Sequence, residues 1–356
     1  MKAWRISQHG GPEVLLREDR PKPEAGPLQA VVRVKAVGLN RLDLWVRKGV
    51  PGHKFPLPLI PGTDSVGIVE SLGAGSDELA TSSGGPRVGE TVIVSPGISC
   101  GRCEACLGGF DPVCPQYGIL GETRDGGLAD FVCVPYVNLI RKPSSLSDVE
   151  AAALPIPYLT AWTMIERRAQ VKAGDFILIQ AGGSGVSVAA TQLCKLRGAT
   201  VITTVGSDAK AALSRAQGAD HVINYRAAPF RDELKKILST YGRRGVDVVL
   251  DHVGSDVTAD SIKSLVWGGR MVICGATSGS DVQIDLKQIF FKNIALMGAT
   301  MGSKADLIRL VNLAGLGRVK PVIDSTFDMS KLPAAMDRLD SRAAFGKIVV
   351  TAEGRV

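Results

Sequence analysis

Hydrophobic and polar residues alternate in short runs through the first part of the chain. Residues 30–37 read Ala-Val-Val-Arg-Val-Lys-Ala-Val, a pattern typical of a strand with one buried face. Similar strands are predicted at Gly67–Glu70, Thr91–Ser95 and Ala129–Pro135, and the Gly- and Ser-rich stretch Gly73–Gly89 is expected to be an exposed loop. Short strands separated by Gly and Pro clusters indicate a small barrel or sandwich.

The pattern changes near residue 155. Phe176–Ile179 is a continuous apolar strand, and helical spacing of apolar residues follows from Val188 to Leu196. The predicted elements after it are strands at 200–205, 221–223, 246–250, 270–274 and 294–298, and helices at 208–217, 230–241 and up to residue 266. Apolar strands alternating with helices predict an α/β fold with a doubly wound parallel sheet. After Gly302 we expect a helix at 304–314, two strands and a further helix.

Composition narrows the class of protein. The 356 residues are 45% hydrophobic and 22% charged, which excludes a disordered chain, a coiled coil and a disulfide scaffold. The N-terminus lacks the apolar segment of a secretory signal, and the cysteine count is odd, so we expect a cytoplasmic protein. No apolar run is long enough to span a membrane, and the formal charge of +7 is not clustered. We therefore expect neither membrane nor nucleic-acid partners, but a small-molecule substrate.

Four of the seven cysteines lie within fifteen residues of one another. Their spacing is C-x2-C-x2-C-x7-C, formed by Cys100, Cys103, Cys106 and Cys114. Four thiolates can bind one zinc ion tetrahedrally and leave no coordination position for a substrate, so we expect a structural zinc. Disulfides and an iron–sulfur cluster are the less favoured alternatives. The other cysteines are expected to be small buried residues: Cys133, Cys194 and Cys274.

A glycine-rich segment follows the predicted strand Phe176–Ile179. Such a loop lets the backbone approach a pyrophosphate at the positive N-terminus of the next helix. The strict fingerprint G-x-G-x-x-G would place glycine at 182, 184 and 187, but positions 184 and 187 are serine. An ordinary turn between strand and helix is the alternative, and the series of strands and helices around the loop favours dinucleotide binding. The expected cofactor contacts are Gly182, Gly183, Ser184, Gly185 and Val186.

The end of the second strand of this unit bears on the choice of cofactor. Enzymes that prefer NAD carry an acidic residue there, which binds the ribose hydroxyls. Here residues 205–207 are small and neutral and Lys210 adds positive charge, which leaves room for a 2′-phosphate. Asp208 is the counter-evidence, and we interpret it as the N-cap of a helix over Ala209–Gln217. We therefore expect NADP(H) in preference to NAD(H).

Several short motifs are spread over nearly the whole chain. They lie at Gly11–Leu15, Gly38–Asp43, Pro61–Asp64, Gly126–Phe131, Thr160–Trp162, Gly218–Asp220, Ile223–Tyr225 and Phe345–Val349. Together with the four-cysteine segment and the glycine loop, they resemble the medium-chain dehydrogenase/reductase superfamily, which includes zinc-type alcohol dehydrogenases and quinone oxidoreductases. The resemblance implies a GroES-like substrate domain at 1–154, a Rossmann cofactor-binding domain at 155–301 and a return to the substrate domain at 302–356.

The resemblance also implies assembly and cofactor contacts. Homodimers or homotetramers joined through the cofactor domains are expected. In NADPH-dependent members, the residues matching Ser207, Lys210 and Tyr225 hold the 2′-phosphate. Thr160 is expected to help to position the nicotinamide or to line the substrate pocket.

This chain departs from the resemblance at the catalytic zinc. Alcohol dehydrogenases of the superfamily bind that ion through a Cys, a His-Glu pair and a later ligand. The matching positions here are Asn40, Thr63, Asp64 and a position near Ile156, and the proton-relaying hydroxyl corresponds to Leu42. These side chains cannot form an open three-ligand zinc site. Asp64 and the nearby Asp43 are interpreted as hydrogen-bonding supports rather than as a metal site.

Without a Lewis acid, an acceptor that is already electrophilic is the easier substrate. The sequence therefore predicts hydride transfer from NADPH to an enone, enal or quinone, with Asn40, Thr63, Asp64 and Ile156 at the substrate pocket and the proton supplied by solvent. Two alternatives remain open. One is an alcohol dehydrogenase with an unorthodox active site, and the other is a non-catalytic NADPH-binding protein.

Overall fold

The computed structural model describes residues 1–354, and the chain divides into two compact units. The first unit contains Met1–Leu159 and the C-terminal part from Gly302, and the second contains Thr160–Met301. The division falls inside the helix Pro155–Trp162 rather than at residue 154. Within residues 1–354, no helix is both long enough and apolar enough to cross a membrane.

The β-strands are numbered in chain order. They are β1 (Lys2–Ile6), β2 (Leu15–Asp19), β3 (Gln29–Gly38), β4 (Asp64–Leu72), β5 (Thr91–Val94), β6 (Gly97–Ile98), β7 (Gly118–Ile119), β8 (Phe131–Pro135), β9 (Leu139–Arg141), β10 (Phe176–Ile179), β11 (Thr200–Val205), β12 (His221–Asn224), β13 (Val246–Asp251), β14 (Leu265–Ile273), β15 (Ala295–Gly298), β16 (Ile323–Asp328) and β17 (Lys347–Thr351).

The α-helices are numbered in the same way. They are α1 (Arg41–Lys48), α2 (Ser76–Ser83), α3 (Glu104–Leu107), α4 (Asp148–Ala152), α5 (Pro155–Trp162), α6 (Gly185–Leu196), α7 (Asp208–Ala216), α8 (Phe230–Ser239), α9 (Thr258–Lys263), α10 (Leu286–Lys292), α11 (Lys304–Gly315) and α12 (Leu332–Asp340). A π-helical segment, Thr163–Ala169, continues α5.

The first unit is built on a seven-stranded sheet. Its strand order is β16-β17-β3-β4-β5-β9, and β8 also pairs with β3. The register places Gly38 of β3 opposite both Asp64 of β4 and Val349 of β17. The end of β3 therefore meets the starts of β4 and β17. This meeting point brings Asn40, Asp64 and Lys347 together although they are far apart in the sequence.

The second unit is a parallel six-stranded sheet with the order β12-β11-β10-β13-β14-β15. The strand order reverses between β10 and β13, and in such sheets ligands bind in the crevice at the carboxyl ends of the strands beside the reversal. Apolar residues on these strands form the core, with Leu178, Ile202 and Met271 fully buried. The predicted α/β fold, with a doubly wound parallel sheet and a separate β-rich domain, is confirmed.

Two local predictions were wrong. The expected loop Gly73–Gly89 contains helix α2, whose first turn is acidic and whose end is a left-handed Gly84. These are ordinary helix-boundary signals, but the Ser and Gly content of the stretch obscured them. The helix expected to reach residue 266 ends at Lys263, because Leu265 already pairs with Val246 at the start of β14, which turns at Gly268 with φ of 72°.

Candidate active-site cluster, zinc lobe and cofactor loop

A buried polar cluster lies where β3, β4 and β17 meet. The Nζ of Lys347 donates hydrogen bonds to the carbonyl oxygen of Leu39 at 2.6 Å, to Oδ1 of Asn40 at 2.7 Å and to Oδ2 of Asp64 at 3.3 Å. Asn40 Nδ2 donates to the same Asp64 oxygen at 2.9 Å. The other oxygen, Asp64 Oδ1, accepts the backbone N–H of Ile156 at 3.0 Å. Three of the four predicted substrate-pocket residues therefore belong to one hydrogen-bonded network.

Asp43 supports this network from α1. Its Oδ2 accepts the backbone N–H of Asn40 at 2.7 Å, and its Oδ1 accepts the backbone N–H of Gly62 at 3.0 Å. Gly62 has φ of +100°, and a Cβ there would lie 2.7 Å from the backbone nitrogen of Leu128, so only glycine fits. The interpretation of Asp43 as a hydrogen-bonding support agrees with these contacts.

Burial controls the protonation of the three charged groups. It raises the pKa of Asp43 to about 6, although the hydrogen bond from the Asn40 backbone opposes it. It also raises the pKa of Asp64, against the opposing effect of the Lys347 ammonium, and it lowers the pKa of Lys347. Burial favours the neutral form of each group, whereas the attraction between the Asp64 carboxylate and the Lys347 ammonium favours their charged forms. The protonation of one group therefore affects that of the other.

Lys347 was not assigned to the site from the sequence. It lies in the motif Phe345–Val349, and β17 otherwise has the pattern of an ordinary apolar strand. The available signal was a lysine followed by Ile-Val-Val on a strand that has every residue buried. A fully buried lysine needs a partner of opposite charge, and Asp64 meets that need.

Thr63 and Thr160 differ from the network residues. Thr63 is fully buried, and its hydroxyl oxygen has no hydrogen-bond partner. Such an orphaned hydroxyl is costly and is therefore a candidate for binding a ligand oxygen. Thr160 is also buried, on α5, and it belongs to the second unit.

The four predicted zinc ligands converge in a lobe of the first unit. Their Sγ atoms all lie within 4.8 Å of one another, with 3.5 Å between Cys103 and Cys106 and 3.9 Å between Cys100 and Cys106. Tetrahedral zinc with Zn–S bonds of about 2.3 Å requires sulfur atoms about 3.8 Å apart. The cluster of Cys100, Cys103, Cys106 and Cys114 can therefore hold a structural zinc.

The cysteines described by the structure form no disulfide. Of the three other cysteines, Cys194 is fully buried, as predicted, whereas Cys133 and Cys274 are only partly buried. Cys133 lies on β8, where its Sγ contacts Oε1 of Gln29 at 3.4 Å. The prediction that all three are buried was wrong for these two. Cys133 lies on β8, which pairs with β3, and Cys274 lies just beyond the end of β14.

The glycine loop connects β10 to α6 at the reversal of strand order. Gly182 packs against β11, and a Cβ at this position would lie 2.4 Å from Oγ1 of Thr203. Ser184 is the N-cap of α6, because its Oγ accepts the backbone N–H of Ser187 at 3.1 Å. Gly183, Gly185 and Val186 complete the loop and the first turn of the helix. Close approach of backbone at a helix N-terminus is the arrangement that binds a dinucleotide pyrophosphate.

The candidate 2′-phosphate residues surround the end of β11. Ser207, and not Asp208, is the N-cap of α7, since its Oγ accepts the backbone N–H of Lys210 at 3.3 Å. The interpretation of Asp208 as the cap was therefore wrong: it is the first helical residue, and its carboxylate accepts a hydrogen bond from Asn224 at 2.8 Å. The hydroxyl of Tyr225 would lie 2.7 Å from a Cβ at residue 206.

Arg226 is a functional candidate that sequence reasoning missed. A Cβ at Gly206 would lie 3.6 Å from its Nε, so the guanidinium group extends over the same end of β11 as Tyr225. Arginine is the best side chain for a phosphate, because its donors form a rigid fork. The available signal was its position directly after Tyr225, beyond the end of β12.

Comparison with known proteins agrees with the fold and the four-cysteine lobe described above. The alcohol dehydrogenase GroES-like domain family matches residues 26–144, and the zinc-binding dehydrogenase family matches residues 185–315. A quinone oxidoreductase from Rattus norvegicus is 28% identical, covering 98% of this chain and 97% of the relative. An NAD-dependent alcohol dehydrogenase from Saccharolobus solfataricus is 31% identical, covering 98% and 99%.

Solved structures agree over the full length. The crystal structure of an NAD-dependent alcohol dehydrogenase has a TM-score of 0.91 and 41% identity, covering 99% of both chains. A cobalt- and zinc-bound thermostable alcohol dehydrogenase from Pyrobaculum aerophilum has a TM-score of 0.87 and 33% identity, again covering 99% of both chains. With its GroES-like domain, its Rossmann sheet and its four-cysteine lobe, this chain belongs to the medium-chain dehydrogenase/reductase superfamily and is an oxidoreductase of the zinc-type alcohol dehydrogenase and quinone oxidoreductase group.

Proposed function

We propose that this oxidoreductase transfers hydride from NADPH to an electrophilic acceptor, an enone, enal or quinone, without a catalytic zinc. The observation that carries the proposal is the network of Lys347, Asn40 and Asp64. The resemblance to the superfamily matches Asn40 and Asp64 to two of the positions at which zinc-dependent members hold the metal. A bound nicotinamide would supply the hydride, and the protein would supply orientation and electrostatics.

The donor set of this cluster does not suit a zinc ion. Asn40 already uses its amide oxygen on Lys347 and its amide nitrogen on Asp64. The one carboxylate at the ligand positions is paired with an ammonium group, which would repel a divalent cation. Thr63 and Ile156 offer a hydroxyl and an aliphatic side chain, neither of which is an ordinary zinc ligand.

Thr63 is the residue best suited to bind the acceptor. Its hydroxyl lacks a partner and can donate a hydrogen bond to a carbonyl or quinone oxygen. Negative charge develops on that oxygen as the acceptor is reduced, so the hydrogen bond strengthens in the transition state. Asn40 lies at the same end of the sheet, and its orientation is fixed by Lys347. The resulting enolate or quinol oxygen would take its proton from solvent.

NADP(H) is the proposed cofactor on the basis of charge. Tyr225 and Arg226 place a hydroxyl and a guanidinium group beside residue 206, at the end of β11, and Lys210 adds a cation in the first turn of α7. Asp208 is hydrogen-bonded to Asn224, which supports a structural role for its carboxylate. A 2′-phosphate would add negative charge beside these positive groups, whereas the ribose of NAD would not.

An NAD-dependent alcohol dehydrogenase is the second candidate. It is favoured by the names of the relative that is 31% identical and of the structure that is 41% identical. Steady-state assays of the purified protein separate the two. We expect turnover of enones and quinones with NADPH and one zinc per chain by metal analysis. Two zincs per chain, or alcohol oxidation that a chelator abolishes, would refute the proposal.

We also propose that the protein forms homo-oligomers through the second unit. Strand β15 is an edge of the six-stranded sheet, and exposed apolar side chains lie on and beside it. They are Trp267, Leu286, Phe290, Phe291 and Leu296. An edge strand with such a patch suits pairing with a second copy of the chain.

Light scattering on the purified protein tests this assembly. We expect at least twice the 37.5 kDa mass of one chain. The Phe290→Glu and Phe291→Glu double variant should shift the mass toward that of one chain, whereas Leu316→Glu, at a still more exposed position in the first unit, should not. A wild-type protein that is monomeric at micromolar concentration would overturn the proposal.

A further inference from the structure

A histidine of the second unit contacts both serines that replace glycines of the dinucleotide fingerprint. The Nε2 atom of His252 lies 2.9 Å from Oγ of Ser184 and 2.9 Å from Oγ of Ser187. His252 directly follows β13, and the two serines follow β10. The contacts therefore cross the point where the strand order reverses, which is where this fold binds its ligand.

The hydrogen-bond directions indicate which nitrogen carries the proton. The hydroxyl of Ser187 donates to the carbonyl oxygen of Gln180 at 2.8 Å, so its contact with His252 requires a donor on the ring. Nε2 is therefore protonated. The Ser184 hydroxyl accepts the backbone N–H of Ser187 at 3.1 Å and donates to Oγ of Ser187 at 3.0 Å. Because each serine hydroxyl donates its proton elsewhere, both oxygens can accept from the Nε2–H group of His252.

His252 is itself held in place by its neighbours. Its carbonyl oxygen accepts the hydroxyl of Thr277 at 3.0 Å, which ties its loop to the loop after β14. The carboxylate of Asp251 accepts the backbone N–H of Val253 at 2.7 Å. The imidazole therefore extends from a rigid loop toward the glycine-rich loop.

We propose that His252 is a positioning residue for the dinucleotide: it holds the pyrophosphate-binding loop in its binding conformation through Ser184 and Ser187. In the usual fingerprint, glycines at these two positions let the loop approach the phosphates and let the helix pack against the strand. Here the Ser187 hydroxyl joins α6 to the end of β10, and His252 fixes both serines. This inference rests on the proposed use of a nicotinamide dinucleotide.

Cofactor binding to the purified protein, followed by NADPH fluorescence, tests the role. We expect His252→Leu to raise the Kd for NADPH about tenfold, the effect of losing one hydrogen bond to a loop that must be ordered. At saturating cofactor, kcat should change less than twofold. His252→Gln, which keeps an N–H donor near the position of Nε2, should restore most of the affinity. His221→Leu is the matched control, since His221 bonds Tyr241 instead at 2.8 Å.

Repeating the His252 substitution in a second variant of the protein separates a positioning role of His252 from a general loss of structure. With Ser184→Gly and Ser187→Gly together, the fingerprint is restored and His252→Leu should no longer change the Kd. An equal increase in both backgrounds, or no increase in the wild-type background, would overturn the inference. The ¹⁵N spectrum of the unliganded protein should show the Nε2-protonated tautomer of His252, and the Nδ1 tautomer would also overturn it. A wild-type protein that binds no dinucleotide but shows the Nε2 tautomer would refute the proposed cofactor and the role in binding it, while the contacts within the loop would stand.

Discussion

The ammonium group of Lys347 lies 2.7 Å from the amide oxygen of Asn40, although 307 positions separate the two residues in the chain. The contact forms because β17, the last strand of the sheet, pairs with β3 at its end. It places a buried hydrogen-bond donor against the amide oxygen of Asn40. The cation also neutralises Asp64, so Lys347 holds two neighbouring side chains in fixed orientations.

Removing Lys347 should strongly destabilise the first unit. In Lys347→Met, Asp64 would remain buried without its counter-ion, and breaking a buried pair in this way costs about 3–5 kcal/mol. Adding Asp64→Asn should recover part of that loss. Urea unfolding of the two variants measures both effects.

Lys48→Met is the matched control for this experiment. Its Nζ lies 2.6 Å from Asp340, a shorter ion pair than that of Lys347, but both side chains keep access to solvent. Its loss should cost less than about 1 kcal/mol. Equal losses of stability in Lys347→Met and Lys48→Met would show that burial does not determine how much the Lys347–Asp64 pair contributes to stability.

Asp43 should make the stability of the protein depend on pH. Its pKa in the folded state is raised to about 6, above the ordinary value of 3.8, so between these values the folded state binds more protons than the unfolded state. The contribution of Asp43 to stability is therefore present below pH 4 and is lost as the pH rises through 6. Relative to Asp43→Asn, which does not titrate, wild-type stability should fall by about 2–3 kcal/mol from pH 4 to pH 7. A difference that stays constant or grows would contradict the assignment.

The sequence predicted the parallel sheet well because its strands are buried on both faces and carry continuous apolar runs. Phe176–Ile179 and Thr200–Val205 were placed with the bounds that the structure shows. The zinc lobe was predicted equally well, because its four ligands are close in sequence and local spacing determines their geometry. Local patterns of this kind can be interpreted without knowledge of the tertiary structure.

The contacts between distant segments could not be predicted in this way. Lys347 joins Asn40 through strand pairing, and His252 joins Ser184 through the order of strands in the sheet. Neither pairing leaves a periodic signal in the sequence. The N-cap of α7 was assigned one residue too late because Ser207 and Asp208 are both good caps, and only the geometry decides between them.

Loss of one zinc ligand should unfold the lobe and leave the second unit intact. Cys103→Ser removes a thiolate from a site whose metal contributes to folding, so metal analysis should fall from one zinc per chain toward zero and the lobe should become sensitive to protease. NADPH affinity should change less than about twofold, because none of the ligands belongs to the second unit. Cys133→Ser is the control and should retain its zinc. A Cys103→Ser protein with a full complement of zinc would contradict the assigned ligand set.

Arg226 should determine part of the preference for a 2′-phosphate. Arg226→Ala removes a guanidinium group from the end of β11, and a charge-assisted hydrogen bond of this kind corresponds to about a 10- to 100-fold rise in the KM for NADPH. The KM for NADH should be unchanged. Lys235→Ala, at an exposed ion pair on α8, should alter neither value. Parallel losses with both cofactors would show that Arg226 supports the fold rather than the phosphate.

Thr63→Val should separate stability from catalysis. The Thr63 hydroxyl is buried without a partner, so replacing it by a methyl group of the same shape should leave the free energy of unfolding unchanged or raise it slightly. If the hydroxyl binds the acceptor oxygen, kcat/KM for an enone should nevertheless fall about 10- to 100-fold. Ser65→Ala is the control, because Ser65 also has a buried hydroxyl without a partner but lies further along β4. Unchanged turnover in Thr63→Val would remove Thr63 from the mechanism, whereas a loss of turnover without a loss of stability would support its role as the donor to the substrate.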